Sequence, residues 1–192
     1  MSLNQVKRGG LAGVLAAALF LLTTILSRIA PVEAVFQSPT DYLQQVVMVL
    51  AFAATIGAVL GLHALQRAHP RYGRVGAVGS ILTILGYGTV LLVVVVGIVL
   101  GGRSITEVRI AGALTVLVGS ALLGVATLRA RLVPWWCGVL LIVAFPIGDV
   151  LDGVFAGGEG IMLALLWGSV GLALLTRTGS PVQPAKTPVA VN

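Results

Sequence analysis

Long apolar runs alternate with short polar gaps along the chain. A helix rising about 1.5 Å per residue needs roughly 20 apolar residues to cover a hydrocarbon core of about 30 Å. The runs predict six membrane spans, at about 10–28, 41–66, 75–101, 108–128, 133–153 and 160–176. The third is generous, and the uncharged stretches of the last two, 132–148 and 160–176, are short, differences that tilt absorbs.

The polar gaps carry helix punctuation. Ser38, Pro39 and Asp41 read as an N-cap, a proline at the first helical position and an acid at the third. Ser104 and Glu107 make a capping-box pattern ahead of the fourth run. Pro70 breaks the gap between runs two and three, Pro134 opens run five, and Gly157-Gly158 separates runs five and six. From 179 to 192 the chain holds Pro181, Pro184 and Pro188 without apolar periodicity, which predicts a disordered tail. The expected fold is therefore an all-α polytopic bundle of six transmembrane helices.

Composition strengthens this picture. The chain is 58% hydrophobic and 9% charged, where soluble domains are about 45–50% apolar and about 25% charged. Mean hydropathy is +1.07. A globule of 192 residues cannot hide so much apolar surface, so lipid must be part of its solvent. The net charge of +6 would suggest nucleic acid in a soluble protein. Here the bases sit in the gaps between spans, which reads as membrane topology with no nucleic-acid partner. The lone Cys137 cannot make an internal disulfide or a thiolate-rich metal site, and reads as a small buried residue.

Charge placement predicts orientation. With the N-terminus inside, the inner segments hold Lys7, Arg8, Arg67, Arg71, Arg74, Arg129, Arg131, Arg177 and Lys186, and no acid. The outer segments hold Arg28, Arg103, Arg109 and all the acids: Glu33, Asp41, Glu107, Asp149, Asp152 and Glu159. This is the positive-inside bias, and it predicts both termini in the cytoplasm. A rival reading takes the first run as a signal peptide cleaved after Ala34. The other five spans would keep the same orientation.

Two inner turns share a pattern of glycine, leucine, basic residues, proline and aromatic. One runs from Gly61 through Arg67, Pro70 and Arg71 to Tyr72. The other runs from Gly124 through Leu128, Arg129 and Pro134 to Trp135 and Trp136. Either a helical hairpin is duplicated, or any basic inner turn converges on these residues. The segments LHALQRAHPRYGRVG and GVATLRARLVPWWCGVLLIV resemble parts of small, uncharacterised multi-pass membrane proteins of high-GC bacteria. That resemblance implies a bacterial inner membrane and supplies no site residues.

The candidate chemistry is sparse. Asp149 and Asp152 are three apart, on one helix face near the outer end of run five. Asp149 lies 13 residues past Trp136, about 20 Å along a helix, short of a full crossing of about 30 Å. Pro146, one turn earlier, frees a carbonyl and can bend the helix. If Asp149, Asp152 and Glu159 lie within the bundle, they form a candidate ion or proton site. If run five ends there, they are solvated interface residues. His63 and His69 lack acids on their side and make a poor metal or haem site. Gly86-Tyr87-Gly88 resembles a potassium filter only weakly and reads as helix packing. Ser169, beside Trp167, has no base placed to activate it. Glycines four apart, at 57 and 61, 97 and 101, and 153 and 157, read as helix-contact motifs.

These features predict a non-catalytic membrane protein that assists assembly, scaffolds or modulates, with no cofactor. Its partners would be the bilayer and a second copy or another membrane protein. The alternative is a small proton- or cation-coupled transporter using Asp149, Asp152 and Glu159.

Overall fold

A computed structural model describes residues 3–29, 36, 38–101, 106–155 and 157–179. All its regular elements are helices: α1 Leu3–Ile29, α2 Pro39–Gln66, α3 Gly73–Val99, α4 Thr106–Ala130, α5 Trp135–Val154 and α6 Gly158–Gly179. All six are long and apolar enough to cross a membrane. They overrun the apolar runs at several ends, because helical hydrogen bonding continues where hydrocarbon gives way to headgroups. Gly179, expected to begin the tail, is the last residue of α6. The rest of the expected tail, the Ala34 cleavage position, the Ser104 cap, Glu33, Arg103 and Lys186 lie outside the described residues.

Local signals start and stop these helices. Ser38 Oγ accepts from the Asp41 amide at 3.3 Å, and Asp41 Oδ2 accepts from the Ser38 amide at 2.9 Å. Both halves of the capping box are thus made, with Pro39 at the first helical position. The turn after α2 is closed by His69 N–H to Gln66 O at 2.9 Å and Tyr72 N–H to His69 O at 3.0 Å. At the opposite end the Phe36 amide donates to Gly101 O at 3.1 Å, tying the α1–α2 and α3–α4 loops together. α5 continues through Pro146.

Each helix packs on its neighbours in the chain, and α1 closes the ring against α6. Glycines set the spacing. A Cβ on Gly13 would stand 2.8 Å from the Gly171 Cα. One on Gly61 would run into the Gly9 backbone, and one on Gly124 would stand 2.7 Å from Gly138 O. Gly79 and Gly86 of α3 face Leu123 and Val116, while Gly119 of α4 faces Thr83. Backbones in such close approach gain the dispersion contact that holds helices together in lipid.

Of the expected glycine pairs, Gly57 and Gly61 face α1, at Ala12 and Gly9. Gly97 and Gly153 face open space, and Gly157 sits against Thr24 in the α5–α6 turn. The two similar inner turns also differ. Gly61 faces α1 and Tyr72 is buried, whereas Gly124 faces α5 and Trp135 and Trp136 are exposed. Their likeness is compositional at these positions.

Antiparallel packing separates the charges. Lys7, Arg8, Arg67, Arg71, Arg74, Arg129, Arg131 and Arg177 gather at one end, with no carboxylate side chain there among the described residues. Asp41, Glu107, Asp149, Asp152 and Glu159 lie at the other, with Arg28 and Arg109.

Candidate functional site

The acids meet where α5 turns into α6. The buried face of α5 consists of Cys137, Gly138, Leu141, Ala144 and Gly148, a helical stripe that excludes both acids. Asp149 and Asp152 are exposed. α5 does not end at Asp149 but runs past it to Val154. Asp152 holds the following turn, where its Oδ1 accepts from the Gly157 amide at 2.7 Å. Gly157 takes φ +90°, which favours glycine, and a Cβ there would also stand 2.7 Å from Thr24 Cγ2. Thr24 donates from Oγ1 to Phe20 O at 2.9 Å within its own helix and approaches Gly157 O at 3.4 Å. The Arg28 guanidinium lies 5.4 Å from the centre of the Phe155 ring, a cation–π contact.

Glu159 differs from the two aspartates. It stands in the first turn of α6, half-buried beside Gly148, where the helix dipole favours an anion. Asp152, Asp149 and Arg109 lie within electrostatic range of it. The structure thus brings the three expected acids together around one turn, two outside the helix-packing face and one partly inside it.

The middle of the ring is filled. Phe20 of α1, Phe52 of α2, Tyr87 of α3, Phe145 of α5 and Trp167 of α6 form a chain of ring contacts. Centroid distances are 5.8 Å (Phe20–Phe52), 5.7 Å (Phe52–Tyr87), 6.2 Å (Tyr87–Phe145) and 6.0 Å (Tyr87–Trp167). Trp167 Nε1 donates to the Tyr87 hydroxyl at 3.3 Å, and Tyr87 and Trp167 are 1% and 0% exposed. The Gly86-Tyr87-Gly88 stretch is helix interior, with Gly86 against Val116 and Tyr87 in this cluster.

At the basic end the sequence reading missed a junction. His63 Nδ1 lies 3.0 Å from the Tyr72 hydroxyl, which lies 2.5 Å from Ser80 Oγ and donates to Gly76 O at 2.8 Å. One proton arrangement satisfies all three contacts: Tyr72 donates to the carbonyl, and Ser80 and the Nδ1–H tautomer of His63 donate to Tyr72. The Tyr72 ring occupies the space a Cβ on Gly76 would need. Burial pushes the Tyr72 hydroxyl above its ordinary pKa, and the Ser80 hydrogen bond pulls the other way. The signal was present in the sequence: a histidine ending one helix, a tyrosine in the turn, and a glycine and serine at the start of the next helix. His69 Nδ1 accepts from the Arg71 amide at 3.3 Å, a turn contact.

A second missed feature is a polar line along α2. Gln44, Thr55 and Gln66 follow at eleven-residue intervals, about three turns each, on one helix face. All are buried. Gln44 donates to Ser27 Oγ, and Thr127 Oγ1 donates to Gln66 Oε1 at 3.2 Å. Gln44 Oε1, Thr55 Oγ1 and Gln66 Nε2 have no hydrogen-bond partner among the described residues. Among those residues no three His, Cys, Asp or Glu side chains converge to hold a metal ion.

Comparison with protein-family models, curated proteins and solved structures returns no match.

Proposed function

We propose that the chain is a multi-pass protein of the bacterial plasma membrane with both termini in the cytoplasm. It acts as a non-catalytic assembly, scaffold or modulator protein, through its surfaces and contacts with membrane neighbours. The observation that carries this reading is the filled ring: Phe20, Phe52, Tyr87 and Trp167 close the centre by edge and tilted ring contacts. A solute passing there would have to displace a buried tyrosine–tryptophan hydrogen bond. Orientation follows the basic end, since inward retention of Lys and Arg sets topology. The bacterial setting rests on the resemblance of the two inner turns to high-GC bacterial membrane proteins.

One observation favours the carrier as a second reading: Glu159 is half-buried at a helix start, with two more acids and Arg109 within electrostatic range. Proteoliposomes separate the two. The purified chain is reconstituted with a trapped pH-sensitive dye, and a proton or sodium gradient is imposed. The surface-acting reading predicts decay no faster than in empty liposomes, for wild type, Asp149→Asn and Glu159→Gln alike. Fast decay in the wild type that Glu159→Gln abolishes would replace it with the carrier.

A further inference from the structure

The basic end carries an open cleft of about 450 Å³ between the α2–α3 turn and the last turns of α4, lined by Arg71, Val125, Leu128, Arg129 and Arg131. We propose that this cleft is a binding site for the headgroup of an anionic phospholipid. Three of its five lining residues are arginines, Arg71, Arg129 and Arg131. With no carboxylate at this end among the described residues, their charge is not neutralised locally. Guanidinium forks match phosphate oxygens in bidentate geometry. Val125 and Leu128 lie on the membrane-spanning part of α4, so the cleft passes from charge to apolar wall as a lipid passes from phosphate to acyl chain. Basic pockets at the ends of transmembrane helices hold anionic headgroups in this way.

Backbone conformation gives a second, independent reason. Arg131 follows the end of α4 with φ 53°, the only non-glycine residue at positive φ among the described residues. Its amide donates to Thr127 O at 3.1 Å, as a left-handed C-terminal cap does. Glycine takes that conformation without steric cost, and arginine does not. The helix end alone is better served by glycine, so the side chain's role lies in the cleft. The proposal goes beyond the function proposed above and needs only that this end meet a membrane surface, whichever face that is.

The full chain in detergent, titrated with dioleoylphosphatidylglycerol and followed by native mass spectrometry, tests it. Arg71→Gln and Arg131→Gly should each weaken binding about fivefold, the effect of one surface arginine on an anionic lipid. Arg177→Gln, outside the cleft, should bind as the wild type does. Arg131→Gly should melt no lower than the wild type, which separates lost lipid contact from a damaged fold. The proposal is overturned if all three variants bind like the wild type, or if dioleoylphosphatidylcholine is retained as strongly. It is equally overturned if glycerol 3-phosphate binds as tightly as the whole lipid, since the cleft would then serve a free phosphate compound.

Discussion

The two ends of the bundle use polar residues in opposite ways. At the acid end they are tied to backbone: the Ser38–Asp41 box starts α2, Asp152 holds the Gly157 amide, and Thr24 reaches the same turn. At the basic end the helices are joined mainly by glycine contacts, Gly9 with Gly61, Gly13 with Gly171 and Gly124 with Gly138. Arginines there rim the surface, and the polar junctions among the described residues are His63, Tyr72 and Ser80, and the Thr127–Gln66 hydrogen bond between α4 and α2. The end with the conspicuous carboxylates thus uses at least one of them to hold a turn. The end with the arginines sets no carboxylate side chain beside them among the described residues.

Substitutions that break this contrast rank clearly. Gly61→Leu should be the most damaging, because its side chain would meet the α1 backbone at Gly9. Overpacking costs about 1–3 kcal/mol, and more where the obstacle is backbone, so loss of a monodisperse, cooperatively melting protein is expected. Gly153→Leu at the acid end faces open space and should melt within about 0.5 kcal/mol of the wild type. Equal damage from both would mean that glycine contacts do not organise the basic end.

Tyr72→Phe should come next. It keeps the ring over Gly76 but removes the hydroxyl that links His63, Ser80 and Gly76 O, costing about 1–3 kcal/mol. In an alkaline titration followed by phenolate absorbance, the component this variant loses should titrate above the ordinary tyrosine range. A component titrating at or below that range would show the hydroxyl to be solvated.

Asp152→Ala should cost less, about 1 kcal/mol, since an exposed charge-assisted bond to Gly157 is lost. Asp149→Asn should be smallest, within about 0.5 kcal/mol, because Asp149 is exposed and off the packed face. If Asp149→Asn destabilised more than Asp152→Ala, the division of labour between these two acids would be reversed.

Much of this architecture was legible in the chain. The apolar runs mark all six helices, and Ser38 and Asp41 mark the start of α2 as found. The inward faces were not legible, for a physical reason. In lipid both the packed and the exposed face of a helix are apolar, so hydrophobic periodicity no longer points inward. Leu85 is exposed and Leu123 is buried, and nothing in their chemistry separates them. Small residues carry that information, but four-residue spacing marks the contact face of α2 and not the α3–α4 interface. There Gly79 and Gly86, and Gly112 and Gly119, repeat at seven. The acids were conspicuous because charge is rare in a membrane chain, yet rarity alone did not distinguish Asp152 capping a turn from Glu159 packed beside Gly148. The α2 line of Gln44, Thr55 and Gln66 stayed hidden because eleven-residue spacing lies outside the usual helical offsets.

Orientation of the two ends is the central topological claim of the proposed function, and impermeant-maleimide labelling of intact cells tests it most directly. In a Cys137→Ser background, a cysteine replaces exposed Ala68 at the basic end or exposed Gly153 at the acid end. The account predicts that Gly153→Cys labels in intact cells and Ala68→Cys only after the membrane is opened. Labelling of Ala68→Cys in intact cells, with Gly153→Cys protected, would contradict it.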